Sequence, residues 1–363
     1  MKVPLIDLRA QYSSIQNDIR EALERVLSSQ KFILGEEVAA LENEITTLTR
    51  SKYAVACASG TDALLLSLLA AGVQPGDEVI TTSYSFFATA GMISWVKAVP
   101  VFVDVDPTTF QMKTDEVRAK LNSKTKAIVA VHLFGQCCDI ESLLDLGVPV
   151  IEDAAQAIGA SRNGRPAGSI GETGCFSFFP TKNLGAYGDG GMITVQDEDL
   201  AKRLLMLRSH GQSQLYFHTT IGTNSRLDEL QAAILRAKLK RLAGWNQKRA
   251  LNAEFYNSHL KHLPLHLPVI AKGNHSNYHQ YVIRSDKRDQ LKTFLQDHEI
   301  GTGIYYPHPL PLQPCFAELG NRSGEFPNAE LCAKTSLALP IYPELTTEQL
   351  EFVAGKIGAF FHL

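Results

Sequence analysis

The chain has 363 residues, of which 45% are hydrophobic and 20% are charged, and its formal net charge is −3. This length and composition indicate a globular protein with one large domain and a smaller one. The near-neutral charge argues against nucleic acid or an anionic membrane as a partner, and the lack of a long apolar stretch argues against a signal peptide or membrane span, so we expect a soluble, cytoplasmic protein.

The first predicted element is an amphipathic helix in which Ile15, Ile19, Leu23 and Val26 or Leu27 recur at helical spacing. From about residue 50 to 195, short apolar runs then alternate with helical stretches such as Asp62–Ala71 and Phe87–Val96. The seven candidate strands are Tyr53–Ala58, Glu78–Thr82, Val99–Val103, Ala127–Val131, Val148–Ile151, Gly174–Phe178 and Gly191–Val195. Because most are rich in Val and Ile without strict alternation, they predict a mostly parallel sheet covered by helices on both faces, which is an α/β fold.

A long helix follows, marked by apolar residues at helical spacing from Leu227 to Leu242. Near residues 243–245 the strand–helix alternation stops, so we assign residues 1–245, with the N-terminal helix, to the large domain. Residues 246–363 are expected to form a smaller α+β domain with a strand at Tyr281–Ile283.

The six cysteines form no CxxC pair and have no histidine at metal-ligand spacing. They are Cys57, Cys137, Cys138, Cys175, Cys315 and Cys332. Several lie in apolar runs, so we expect buried free thiols in a reducing cytosol and no metal site.

The segment Ser59-Gly60-Thr61-Asp62-Ala63-Leu64 follows a predicted strand and opens a helix. Backbone N–H groups at a helix start, together with the Thr61 hydroxyl, are typical of a phosphate-binding site. Ordinary helix capping would use the same residue types, so this motif alone does not decide between the two interpretations.

Two carboxylates, Glu152 and Asp153, end an apolar strand in Ile151-Glu-Asp-Ala-Ala-Gln156. Open α/β sheets bind ligands at the carboxyl ends of their strands, where an aspartate could bind a ribose, a metal or a protonated ring nitrogen. The structural alternative is an aspartate that only caps the next turn.

Lys182 directly follows the aromatic strand that ends at Pro180 and precedes the Gly-rich stretch from Gly185 to Gly191. Most lysines are solvated surface charges, but these surroundings would desolvate the amine, lower its pKa and favour Schiff-base chemistry. A phosphate site, an aspartate for a ring nitrogen and a semi-buried lysine are together what pyridoxal phosphate (PLP) requires.

Five motifs in order resemble the DegT/DnrJ/EryC1/StrS family of sugar aminotransferases. They are Ser-Gly-Thr-Asp-Ala-Leu from residue 59, Glu-Asp-Ala-Ala-Gln from 152, Ser-Phe-x-x-Thr-Lys-Asn-Leu from 177, Gly-Asp-Gly-Gly from 188, and Gly-x-Asn-x-Arg-Leu-Asp-Glu-Leu-Gln-Ala-Ala from 222. The resemblance spans nearly the whole chain and implies a fold-type-I PLP enzyme that acts on a nucleotide-linked keto sugar, with L-glutamate as the amino donor and PLP cycling with pyridoxamine phosphate (PMP).

By this resemblance, Lys182 is the Schiff-base lysine and Asp153 the partner of the ring nitrogen, while Gln156 binds the ring hydroxyl. The remaining cofactor contacts implied are Phe86, which would stack on the ring, and Gly60, Thr61 and Ser177, which would bind the phosphate. Asn224 would reach the phosphate in the neighbouring subunit, which implies a homodimer with shared active sites. Phe86 could instead be a core residue; Phe87 beside it fits a core position better, although the two assignments could be exchanged.

The stretch from Ser209 to Asp228 resembles most the branch that aminates C3 of keto sugars. Arg226 would then meet a sugar carboxylate or the diphosphate, unless it forms a structural salt bridge with an acid such as Asp228. Tyr305, Tyr306 and His308 are further candidate substrate residues. Pro311 stands where the branch often has a histidine, so this loop departs from the branch's pattern, and the alternative for His308 is a surface residue.

Several other functions remain open at this point. A cyclitol or a 4-keto sugar could be the acceptor, and a non-catalytic PLP-binding regulatory protein would keep the fold. The regulatory alternative predicts loss of the lysine or the aspartate, and both are present. A dehydratase of the same family would have Lys182 replaced, typically by histidine, and an NAD-dependent dehydrogenase would need a GxGxxG motif after an early strand, which is absent.

Overall fold

A computed structural model describes residues 1–362, which form eleven α-helices and fourteen strands in the described part of the chain. The helices are α1 Leu8–Ser29, α2 Glu36–Thr49, α3 Gly60–Ala70, α4 Ala88–Trp95, α5 Thr114–Lys120, α6 Ile140–Leu144, α7 Glu198–Leu207, α8 Glu229–Leu260, α9 Arg288–Asp297, α10 Pro327–Thr335 and α11 Thr347–His362. The strands are β1 Tyr53–Cys57, β2 Glu78–Thr82, β3 Val99–Val103, β4 Thr125–Val131, β5 Val150–Asp153, β6 Ser161–Arg162, β7 Arg165–Pro166, β8 Thr173–Ser177, β9 Gly191–Val195, β10 Gln212–Gln214, β11 Phe217–His218, β12 Asn274–His275, β13 Tyr281–Arg284 and β14 Ser336–Leu339.

The predicted seven-stranded sheet is confirmed, in the order β1-β9-β8-β5-β4-β2-β3. Only β9 runs against its neighbours β1 and β8, and the remaining pairs are parallel. Along β5, Ile151 packs with the apolar residues of α3 and Val150 with those of α5 and α6. The sheet is therefore buried on both faces, which explains why its strands lack strict alternation.

The N-terminal helix and the long helix are also confirmed, and α1 packs along α8. The Asp7 carboxylate caps α1 by accepting the N–H groups of Arg9 and Ala10 at 3.0 and 2.9 Å. Helix α8 is longer than its pattern indicated, because it continues through residue 245 to Leu260.

The smaller C-terminal unit is α+β as predicted, with β13 and β14 paired and packed against α9 and α11. Its apolar cluster also contains Val3, whose backbone pairs with Ile300, so the first residues of the chain pack with this unit and not with the sheet. The division at residues 245 and 246 falls inside α8, and we retain it as a proposal.

Five cysteines are buried and free, as expected, but Cys315 is exposed. It lies at the start of a 3₁₀ turn, Pro314–Leu319, in which Phe316 is the buried residue. Within residues 1–362 there is no cluster of three or more His, Cys, Asp or Glu side chains suited to a metal ion. No helix in the same residues is long and apolar enough to cross a membrane.

Candidate active site

The start of α3 offers unpaired backbone N–H groups at the carboxyl end of β1. Ser59 caps the helix, and its hydroxyl accepts the N–H of Asp62 at 3.0 Å. The N–H groups of Gly60 and Thr61 have no acceptor among the described residues. Capping and anion binding are therefore compatible here, because the cap satisfies a different N–H group.

Gly60 brings this helix start into contact with the end of β8. A Cβ atom at position 60 would lie 2.6 Å from Ser177 Cβ, closer than two carbon atoms can approach. Only glycine permits this contact, which places the Ser177 hydroxyl beside the first N–H groups of α3. The three predicted phosphate residues, Gly60, Thr61 and Ser177, thus lie together, although Ser177 is more than a hundred residues from the other two in sequence.

Asp153 ends β5 and is 6% exposed. Its Oδ2 accepts the hydroxyl of Thr89 at 2.8 Å, and its Oδ1 accepts the N–H of Ala155 at 3.2 Å. Burial raises the pKa of Asp153, and the opposing effects of these hydrogen bonds and of the Lys182 charge are smaller. A cationic group beside Asp153, such as a protonated ring nitrogen, would therefore stabilise the charged form of this buried carboxylate.

Lys182 follows the loop at the end of β8, and its backbone N–H donates to Phe179 at 2.8 Å. Desolvation lowers the pKa of its amine to about 8, while the negative charge of Asp153 acts in the opposite direction. The side chain makes no hydrogen bond or salt bridge with the described residues. A desolvated amine that is partly neutral near pH 7 is chemically suited to attack a carbonyl group.

Gln156 and Tyr306 join two distant parts of the chain beside Asp153. The Gln156 amide nitrogen donates to the Tyr306 hydroxyl at 3.1 Å, and its oxygen accepts the N–H of Phe134 at 2.7 Å. The Tyr84 hydroxyl accepts the N–H of Tyr306 at 2.7 Å and donates to the carbonyl of Tyr305 at 2.7 Å. Two of the predicted substrate residues, Tyr305 and Tyr306, are thereby held against the predicted cofactor residues.

Phe86 is 55% exposed, and its ring centroid lies 6.2 Å from that of Tyr306. A large exposed aromatic ring at the carboxyl end of β2 is available for stacking on a ligand. The expectation that Phe87 is a core residue is wrong, because Phe87 is 46% exposed and only stacks from outside on the buried ring of Phe316. It lies outside the core because it directly precedes α4, whose apolar contacts begin at Ala88.

The remaining predicted residues lie on loops. Arg226 forms no salt bridge with Asp228, and its Nε has no partner among the described residues, so the structural alternative for it is not realised. Asn224 is exposed, whereas the next residue, Ser225, is buried and donates to the Asp62 carboxylate at 2.6 Å. His308 is exposed and has no side-chain partner in the described chain.

Thr89 is a site residue that the sequence interpretation missed. Its hydroxyl also lies 3.0 Å from that of Ser85, which is four residues earlier and outside α4. Because Thr89 donates to Asp153, Ser85 is the donor of this second hydrogen bond. No local pattern marks this residue, because its contact with Asp153 joins positions 64 apart in the chain.

These features fit PLP on chemical grounds. The N–H groups and hydroxyl at the start of α3 suit its phosphate, the exposed Phe86 ring suits its aromatic face, and the buried Asp153 suits its ring nitrogen. The desolvated Lys182 suits its aldehyde. The individual assignments stay predictions.

Comparison with known proteins gives a consistent result. The profile described as the DegT/DnrJ/EryC1/StrS aminotransferase family matches residues 13–358. A "pleiotropic regulatory protein" of Geobacillus stearothermophilus is 48% identical, with 99% of each chain covered. A UDP-N-acetyl-3-dehydro-alpha-D-glucosamine 3-aminotransferase of Acidithiobacillus ferrooxidans is 44% identical, with 99% of this chain and 98% of the relative covered.

Solved structures agree with these relatives. The structure of S. venezuelae DesV in complex with a ketimine intermediate has a TM-score of 0.97 and 38% identity, and the match covers 100% of this chain and 99% of DesV. Other solved structures with this fold contain PMP or PLP. The fold-type-I prediction is therefore confirmed.

Proposed function

This chain belongs to the DegT/DnrJ/EryC1/StrS aminotransferase family and is a PLP-dependent sugar aminotransferase, and we propose that it moves the amino group of L-glutamate to the C3 keto group of a nucleotide-linked sugar. The observation that carries the proposal is the desolvated Lys182 beside the buried Asp153, at the edge where the phosphate residues also meet. The choice of C3 follows the printed name of the Acidithiobacillus relative and the sequence from Ser209 to Asp228.

We assign the cofactor contacts as the sequence predicts them. Gly60, Thr61 and Ser177 hold the phosphate, Phe86 stacks on the ring, Gln156 binds the ring hydroxyl and Asp153 binds the ring nitrogen. When bound, PLP supplies an electron-accepting ring that stabilises negative charge developing at the amino-bearing carbon. Asp153 contributes by holding a proton at the ring nitrogen, and Thr89 keeps its carboxylate in place.

Lys182 acts as the acid and base of both half-reactions. In each half-reaction its Nζ would move a proton between the amino-bearing carbon of the substrate and the cofactor carbon that is bound to the same nitrogen, which requires a pKa close to the working pH. Burial of the lysine provides this pKa. Arg226, Tyr305, Tyr306 and His308 are assigned to the sugar side, with Arg226 facing the diphosphate or a sugar carboxylate.

The test is a substrate panel. The purified enzyme is incubated with L-glutamate and nucleotide-linked 3-keto and 4-keto sugars, in UDP and dTDP forms, and with a keto cyclitol. Because amino sugars are more stable than 3-keto sugars, the reverse reaction with 2-oxoglutarate is run in parallel. Mass spectrometry should show the amino group on C3 of a nucleotide sugar, and Lys182→Ala should abolish turnover while PMP still binds.

A regulatory role without catalysis is the second candidate, because one relative is named a pleiotropic regulatory protein. It predicts PLP binding without consumption of glutamate. If no member of the panel is aminated and glutamate leaves the lysine-bound visible absorbance unchanged, the aminotransferase proposal falls. Transfer to a 4-keto sugar or to the cyclitol alone would contradict only the assignment to C3.

The enzyme is further proposed to work in the cytoplasm as a homodimer whose active sites each use residues of both subunits. The hairpin of β10 and β11 supports this proposal, since Leu215, Tyr216 and Phe217 on it and Ile221 just beyond it are all at least 60% exposed. Such a concentration of exposed apolar side chains is typical of a protein interface.

Subunit mixing tests the shared site. If Asn224 serves the partner's phosphate, mixing Lys182→Ala with Asn224→Ala protein restores one intact site in each heterodimer, provided that Asn224→Ala is impaired alone. The within-chain alternative is concrete here, because Ser225 already contacts Asp62 of its own chain. Activity no higher than the mean of the two parents, with subunit exchange verified, would reject the shared site.

A further inference from the structure

Glu152 is fully buried and has no part in the proposed chemistry. It precedes Asp153 on β5, so the two carboxylates point to opposite faces of the sheet. Asp153 lies on the face covered by α3 and α4, where Ile151 packs, and Glu152 lies on the face of Val150. A buried carboxylate so close to the site needs a physical reason.

Four donors satisfy this carboxylate. Its Oε2 accepts from His132 Nε2 and from the N–H of Gly168, both at 2.8 Å, and its Oε1 accepts from the N–H groups of Ile170 and Gly171 at 2.7 and 2.6 Å. Burial raises the pKa of Glu152, but the interactions with His132 and with the backbone N–H groups together outweigh burial and lower the pKa below its usual value. The group is therefore a charged, fully hydrogen-bonded anchor.

His132 closes a ring of contacts around the end of β5. Its Nδ1 accepts the N–H of Cys138 at 2.9 Å, so the ring proton lies on Nε2 and is donated to Glu152. Its backbone N–H donates to the carbonyl of Asp153 at 3.0 Å. The side chain of His132 thus holds Glu152 while its main chain holds Asp153, and the two held residues are covalently joined.

The hydrogen bonds of Glu152 and His132 also connect this carboxylate with the segments that carry the other predicted cofactor residues. The segment 168–171, which is bound to Glu152, leads directly into β8, whose last residue is Ser177. On the other side, His132 starts the turn in which the N–H of Phe134 donates to Gln156. One carboxylate thereby connects the strand ends that carry the ring-nitrogen, ring-hydroxyl and phosphate contacts.

We infer that Glu152 is a positioning residue of the active site, which acts through His132 to fix the direction of Asp153 and through the segment 168–171 to fix the start of β8. The inference rests on the proposed role of Asp153. In Glu152→Gln, an amide N–H₂ group would face two N–H donors that now bind a carboxylate oxygen. Those hydrogen bonds would be lost, while the volume of the side chain is preserved.

The experiment compares Glu152→Gln with Asp153→Asn and with the matched control Glu172→Gln. Glu172 follows the same segment, but its side chain accepts no hydrogen bond from the described residues. Three quantities are measured: turnover, the affinity of the cofactor-free protein for PLP, and the pH midpoint for covalent attachment of PLP to Lys182. We expect Glu152→Gln to lose at least about tenfold in turnover. The pH midpoint of Glu152→Gln should shift to lower pH, by less than that of Asp153→Asn, because a displaced Asp153 carboxylate stabilises the Lys182 ammonium less than a correctly placed one does. Glu172→Gln should match the wild type.

A Glu152→Gln protein with wild-type turnover and midpoint overturns the inference, as does one that loses only thermal stability. If Glu152→Gln does not fold, His132→Phe replaces it, because Glu152 then keeps its three backbone donors but loses its bond to His132, and the Cys138 N–H loses its acceptor. Unchanged behaviour of the folded His132→Phe protein would be equally negative. If Asp153→Asn itself has no effect, the proposed role of Asp153 fails, and the inference falls with it.

Discussion

The depressed pKa of Lys182 can be tested directly by measuring how fast the cofactor-free protein captures PLP at different pH values. An amine with a pKa of about 8 is roughly one-quarter neutral at about pH 7.5, whereas at the ordinary value of 10.5 about one molecule in a thousand is neutral. Because only the neutral amine attacks the aldehyde, the wild-type protein should react on the order of two hundredfold faster than an unperturbed lysine would.

The rate of appearance of the lysine-bound absorbance is recorded by stopped flow between about pH 6 and 10. The rate measured for the protein is divided by the rate at which a small primary amine reacts with PLP, after correction for the ionisation of that amine. This division removes the effect of the titration of PLP itself. The corrected rate should rise with pH and level off above a midpoint of about 8. Burial favours the neutral amine and the Asp153 charge favours the ammonium, so Asp153→Asn should move the midpoint to lower pH.

Asp189→Asn is the matched control, since Asp189 is an exposed carboxylate in the Gly-rich stretch that follows Lys182 and does not affect the pKa of Lys182. Its midpoint should remain at the wild-type value. A wild-type midpoint near about 10, the usual range for lysine, would refute the desolvation of Lys182. An Asp153→Asn midpoint that stays in place or rises would refute the electrostatic coupling between the two residues.

Three further substitutions probe the supports of the site. Asp153→Asn should lower turnover by at least about a hundredfold, or ~3 kcal/mol, and a loss below about threefold in steady-state assays would exclude Asp153 as the ring-nitrogen partner. Gly60→Ala should weaken PLP binding at least about tenfold in equilibrium titrations, because its Cβ would lie 2.6 Å from Ser177 Cβ, whereas Gly244→Ala, with no atom within 4 Å, should bind normally. Thr89→Val removes the donor to Asp153 and should lower turnover by about tenfold or more, while Thr89→Ser, which keeps the hydroxyl, should stay close to the wild type; equal activity of the two variants would contradict the role of the hydroxyl.

The sequence predicted the sheet and the order of its chemistry well, because the relevant signals are local. Apolar runs, most of them rich in Val and Ile, showed the seven strands within one to two residues at most ends, and Gly60, Asp153 and Lys182 lie two, two and four residues beyond the predicted ends of such runs. In a mostly parallel sheet, the carboxyl ends of the strands meet at one edge, so residues that follow several strands meet there without further information.

The sequence did not show the contacts that hold these residues in place, since they join segments far apart in the chain. Thr89 donates to Asp153 across 64 positions, and the Gln156 amide donates to the Tyr306 hydroxyl across 150. Phe87 was misplaced for a related reason: both phenylalanines are exposed, and the contact of Phe87 with Phe316 joins residues far apart in the chain. The end of α8 was missed because its pattern weakens after Leu242 although the helix continues to Leu260.

Reactive residues and the residues that position them face different physical demands. Lys182, the proposed Schiff-base residue, is only partly enclosed, and in that role its reactivity depends on how much water the surrounding residues exclude. Glu152 and His132 are 0% exposed, and every oxygen and ring nitrogen of the pair has a hydrogen-bond partner. A rigid, fully satisfied layer beneath the site lets the reactive groups above it keep one geometry while two chemically different substrates enter in turn. This division of roles explains why Glu152 and Asp153 are adjacent in sequence although only Asp153 has an evident chemical role. Asp153 belongs to the proposed reactive groups, and Glu152 belongs to the buried residues that hold them in place.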